Sequence, residues 1–121
     1  MLFYHSRAKI AVSMKVRLKE STDKPPHVFM RDAGYARHIA KFDGELSYVR
    51  RVTGEEFPRF HIYVDENVTP QTISIHLDQK GVSYDGFSAH NGEYEGPIIM
   101  EELLRLRDSI GVQFILLKEK R

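Results

Sequence analysis

The chain has 121 residues, of which 41% are hydrophobic and 29% charged, with 8 Gly, 5 Pro and no Cys. That length and composition describe one globular domain and exclude collagen-like, disordered and coiled-coil chains. The lack of Cys removes disulfides, thiolate zinc ribbons, iron–sulfur ligation and cysteine nucleophiles together. A net charge of +1 gives no whole-molecule field toward nucleic acid or anionic membrane.

The first run alternates with period two. Ile10, Val12, Met14, Val16 and Leu18 point one way, and Ala11, Ser13, Lys15, Arg17 and Lys19 the other, which predicts a half-buried strand. Met14-Lys15-Val16-Arg17 reads as a natural start, so residues 1–13 are a candidate N-terminal extension. The strand ends at Ser21-Thr22-Asp23-Lys24-Pro25-Pro26, because consecutive prolines cannot sit in a ladder. Val28-Phe29-Met30 reads as a short strand. Tyr35 to Phe42, Asp43-Gly44 and Glu45 to Val52 predict a hairpin with a two-residue type I′ turn.

Thr53-Gly54-Glu55-Glu56 turns the chain again, and strands follow over Phe57–Val64 and Ile73–Gln79, separated by a polar loop containing Pro70. The segment 80–96, rich in Gly, reads as a long loop starting where the second of these strands ends. Pro97 suits a first helical position. Ile99, Leu103, Leu106 and Ile110 then form one helical stripe, with Glu101 and Glu102 toward the positive end and Gly111 as the stop. Val112 to Leu117 closes the chain as an apolar strand. A series of strands with one late helix predicts an α+β domain: an antiparallel sheet of about five to seven strands packed against a single C-terminal α-helix. No apolar stretch approaches the ~20 residues that span a bilayer, and no signal peptide is evident, so a soluble, cytoplasmic protein is expected.

One constellation carries chemistry. If strands 57–64 and 73–79 pair so that residue numbers sum to 137, Phe60, Ile62 and Val64 oppose Leu77, Ile75 and Ile73 on one face. On the other face Arg59 opposes Asp78, His61 opposes His76 and Tyr63 opposes Ser74. A slip of one residue would set apolar against polar throughout. Two imidazoles thus stand side by side with Asp78 one strand step away. The turn around His90 and Glu93 lies in the loop that follows this strand and can fold back over them. Three neutral imidazoles with a carboxylate suit Zn, Ni, Mn or Fe, and a position left to water would make a hydrolytic or lyase-type site. The candidate ligands are therefore His61, His76 and His90, with Asp78 or Glu93 completing the sphere or acting as the base.

The alternative is a non-catalytic binding module using the same polar and aromatic face. Paired His can be polar filler, and Arg59–Asp78 is already a complete cross-strand ion pair. No His-x-x-x-His or His-Glu-x-x-His spacing, Gly-x-Ser-x-Gly elbow, P-loop or Gly-x-Gly-x-x-Gly occurs. Arg31, Arg37, Arg50, Arg51 and Arg59 are interleaved with Tyr35, Tyr48, Phe57 and Tyr63, but carboxylates nearly balance them, so nucleic acid is not an expected partner. A protein partner or a homodimer stays open. At Pro58-Arg59-Phe60-His61, His76-Leu77-Asp78-Gln79-Lys80 and His90-Asn91-Gly92-Glu93-Tyr94 the chain resembles a family of small prokaryotic proteins with no assigned function, over roughly Met14 to Leu106. That resemblance implies no activity, cofactor or catalytic residue.

Overall fold

The computed structural model describes residues 13–79 and 91–117, without the side chains of 91–95. Six strands form one antiparallel sheet: β1 (Ser13–Leu18), β2 (Ala36–Ile39), β3 (Leu46–Arg51), β4 (Arg59–Asp65), β5 (Thr72–Asp78) and β6 (Phe114–Leu117), in the order β2-β3-β4-β5-β1-β6. Two helices complete it, α1 (Pro26–Asp32) and α2 (Asn91–Ile110). The α+β class and the C-terminal position of the long helix are as the patterning predicts.

The sheet is apolar on one face because each strand alternates. Val16, Leu18, Tyr48, Phe60, Ile62, Ile73, Ile75 and Leu77 are all buried there. Ile99, Leu103 and Leu106 of α2 join them, and α1 adds Phe29 and Met30. The anticipated stripe on the long helix is thus the lid of the core.

Several boundaries differ from expectation. The run Val28-Phe29-Met30 is helical, not extended. Pro26 occupies the start of α1, where a missing N–H costs nothing and a fixed φ favours the helix. At the other end Tyr35 N–H bonds the Met30 carbonyl and Gly34 N–H bonds that of Arg31, with Gly34 at φ +96. This is a Schellman stop, which needs a left-handed residue.

The β2–β3 hairpin is wider than a type I′ turn. Ile39 pairs with Leu46, and Ala40 N–H bonds the Glu45 carbonyl, so Lys41 to Gly44 form a four-residue loop. The Asp43 carboxylate accepts Glu45 N–H at 2.9 Å, and Gly44 N–H reaches back to the Ala40 carbonyl. The register shift is two residues, an even number, so every side chain keeps its expected face.

α2 begins at Asn91, so Pro97 lies inside the helix rather than at its first position. Gly96 precedes it, and without a Cβ it avoids the clash that normally bars the residue before proline from helical geometry. The segment 91–96, expected in the long loop, is therefore helical. Residues 80–90 and 1–12, with Ile10 and Val12, lie outside the described residues.

Candidate metal centre

The β4–β5 register is the anticipated one: Arg59 pairs with Asp78, Phe60 with Leu77, His61 with His76, Ile62 with Ile75 and Tyr63 with Ser74. Antiparallel partners share a face, so the apolar series goes to the core. Arg59, His61, Tyr63, His76 and Asp78 gather on the opposite side.

Asp78 is the hub. His61 Nδ1 lies 2.8 Å from its Oδ2, and His76 Nε2 lies 3.0 Å from its Oδ1. Arg59 Nε donates to Oδ2 at 3.1 Å, while the guanidinium carbon sits 4.7 Å above the centroid of Phe57. Burial by itself would raise the Asp78 carboxyl. Hydrogen bonds from His61, His76 and Arg59 outweigh it and hold the group well below the usual carboxylate range. His61 is buried and ring-stacked on Tyr63, with centroids 4.8 Å apart; His76 lies 5.0 Å away, tilted.

The donor set fits a metal ion. One atom from each of His61, His76 and Asp78 lies within 4.8 Å of the others. A tetrahedral ion with bonds of ~2.0–2.1 Å would hold neighbouring donors ~3.3–3.4 Å apart, so the two pairs at 2.8 and 3.0 Å would open by about half an ångström while a pair near 4.8 Å would close by about 1.4 Å. Three nitrogen and oxygen donors suit Zn, Ni or Mn without selecting among them. The ion would have to compete with Arg59 for Asp78.

His90, the third predicted imidazole, lies outside the described residues. Glu93, the second candidate base, falls in the first turn of α2, and its side chain lies outside them too.

Sequence patterning missed Ser47. Its hydroxyl oxygen is 2.8 Å from His61 Nε2 and 3.3 Å from the His38 carbonyl oxygen, either of which can take its single proton. The alternation of β3 puts Ser47 on the face opposite Tyr48, but only the β3–β4 pairing says which residue it meets there. Tyr48 pairs with Ile62 and Val49 with His61, which places Ser47 diagonal to His61 on the site face. Ser47, His61 and Asp78 thus form a hydrogen-bonded line in the order of a nucleophile, base and acid. Ser47 is only 1% exposed, so no acyl substrate reaches it, and the line is not a hydrolytic triad.

A second polar cluster lies on the core side. Glu102 is not near the helix start but in mid-helix, 3% exposed, and it accepts from Tyr35 Oη at 2.6 Å. Arg50 forks onto both its oxygens at 3.1 and 2.8 Å, and Arg105 adds bonds at 3.0 and 2.9 Å. Burial pushes this carboxyl up, but its bonds from Arg105, Arg50 and Tyr35 prevail and bring it down to about 2. Burial first, and the Glu102 charge second, push the Tyr35 phenol up, so it stays a donor. Every strong acceptor here has donors, so the cluster braces α2 on the sheet. It has no spare group for chemistry.

The anticipated Arg and aromatic series does not make one surface. Arg50 is committed to Glu102, Tyr35 and Tyr48 are core, Arg59 serves Asp78, and Arg31 lies on the exposed side of α1 beside Asp32. Among the described residues no helix is long and apolar enough to cross a membrane. Compared with protein-family models, curated proteins and solved structures, the chain gives no match.

Proposed function

We propose that this protein binds a divalent transition-metal ion through His61, His76 and Asp78. The observation that carries this reading is a single carboxylate bonded to two imidazoles on one sheet face, with one donor atom of each residue within 4.8 Å of the others. His76 and Asp78 stand two residues apart on one strand and His61 directly across from His76, so the rigid ladder presets the spacing. Three protein donors with an open position is the pattern of catalytic rather than structural sites. Bound there, the ion would supply Lewis acidity for hydrolytic or lyase chemistry. The fourth position would go to water in the catalytic case or to His90 in a closed site, and Glu93 is the candidate base.

The competing reading is a binding module whose polar face docks a protein or peptide. It is favoured by one observation: Asp78 is already satisfied by Arg59, His61 and His76 without an ion.

Metal content and a thermal shift separate the two. Zn, Ni or Mn at about a hundred times its dissociation constant should stabilise the fold by ~2.7 kcal/mol, because the unfolded chain cannot assemble the ligands. For a domain of this size that is a rise of roughly 8–15 °C in Tm. His76→Ala should abolish the rise, and His27→Ala, at an exposed position of α1, should leave it intact. A protein purified without metal, whose Tm none of the three ions moves at pH 7.5, would hand the face to the binding module.

A further inference from the structure

His61 touches two groups at the same distance, Asp78 from Nδ1 and Ser47 from Nε2, each at 2.8 Å. Histidine can bind a metal through either nitrogen, and the choice is set by the hydrogen bond that the other nitrogen makes. Here Nδ1 faces the carboxylate hub. Nε2 faces a hydroxyl that is 1% exposed and fixed on a central strand.

A serine hydroxyl has one proton and two lone pairs, so it can either donate or accept. Without an ion, a neutral His61 keeps its proton on Nδ1, donating to the charged carboxylate, and Ser47 can donate to Nε2. With an ion on Nδ1, the same single proton must sit on Nε2, pointing into a buried position. Ser47 then has to accept, and its own proton needs a new acceptor. The His38 backbone carbonyl, 3.3 Å from the hydroxyl oxygen, is that acceptor. The ring keeps one proton in both states, and each buried polar atom keeps a partner.

We propose that Ser47, with the His38 carbonyl behind it, is the positioning residue of the centre and commits His61 to bind the ion through Nδ1. Ser47 touches neither ion nor substrate in this role. The inference rests on the metal reading given above, and it adds which nitrogen binds and what holds it there.

Removing the hydroxyl would leave Nε2–H buried without an acceptor whenever the ion is bound. Loss of such an outer partner typically lowers metal affinity by about 10–100-fold. Zinc affinity by competition with a chelating dye should fall by that factor in Ser47→Ala and recover substantially in Ser47→Thr, which restores a hydroxyl. The second measurement needs no variant. In ¹⁵N-histidine protein loaded with ¹¹³Cd, the metal–nitrogen coupling of His61 should appear on Nδ1, and Nε2 should carry a slowly exchanging proton. Coupling on Nε2, or zinc binding by folded Ser47→Ala as tight as by the wild type, would overturn the proposal while leaving the metal reading standing. If the wild type takes up neither ion, the metal reading itself fails and this inference falls with it. Should Ser47→Ala not fold, the cadmium coupling in the wild type still decides.

Discussion

At the scale of single residues, Asp78 decides the character of the polar face. Its two oxygens divide three donors: Oδ1 takes His76, and Oδ2 takes His61 and Arg59. Arg59 is mostly covered, with its side chain 18% exposed, and Phe57 flanks the guanidinium. The pair is therefore better shielded than a surface bridge, yet still near water. A double-mutant cycle on Arg59→Ala and Asp78→Ala should give a favourable coupling of roughly 0.2–1 kcal/mol, shrinking as salt is raised. A coupling of zero at low salt would mean that Arg59 contributes packing over Phe57 and not charge. The same arginine bears on the metal reading, since it holds an oxygen that the ion would need and repels the ion's charge.

Among the elements, the β2–β3 hairpin shows how loop chemistry sets register. Asp43-Gly44 between alternating strands is the usual mark of a two-residue turn. The chain instead spends Asp43 on Glu45 N–H and Gly44 on a left-handed closing position at φ +71. Nothing lies within 4 Å of where a Gly44 side chain would start, so a substitution there meets no steric neighbour. Gly44→Ala should thus lose only the backbone term, roughly 1–2 kcal/mol, read as a lower urea midpoint with an unchanged slope. An unchanged midpoint would show that the loop has room to adopt another turn. α1 makes a parallel point. A three-residue apolar run is ambiguous between helix and strand, and the proline before it with the Gly34 stop after it settles the matter.

At the scale of the whole molecule, two carboxylates tie stability to pH. Glu102 braces the long helix on the core side and Asp78 organises the opposite face, and both are held below their ordinary range. Unfolded, Glu102 takes a proton near 4.5, whereas folded it does so only near 2. Between those values the unfolded state binds protons first. Stability is therefore complete above about pH 5 and falls as pH drops toward 2, by roughly 3 kcal/mol for Glu102. Asp78 adds to the loss with the same sign. Urea midpoints between pH 6 and pH 2.5 should trace this decline. Glu102→Gln should be less stable at pH 6 and show a shallower acid limb. A wild type whose midpoint is level down to pH 2.5 would contradict the bonding of both carboxylates.

The sequence by itself determined the class, the β4–β5 register and the His61, His76 and Asp78 grouping. Alternation over seven residues on two adjacent strands leaves one register that sorts polar from apolar, so the pairing is a local property read at long range. The stripe Ile99, Leu103 and Leu106 was equally legible, because one helical face must be apolar to bury. Glu102 sits within that stripe, three residues from Ile99 and four from Leu106, a spacing that the reading of it as a charge at the helix start passed over. Its partners were not visible, since Tyr35 and Arg50 come from 67 and 52 residues away. Ser47 was hidden for the same reason: its meaning depends on a β3–β4 pairing that brings a diagonal neighbour to Nε2 of His61. Only the tertiary structure decided these contacts, because hydrogen bonds between distant elements are directional and short-ranged. No periodicity in the chain encodes which polar atom will face which.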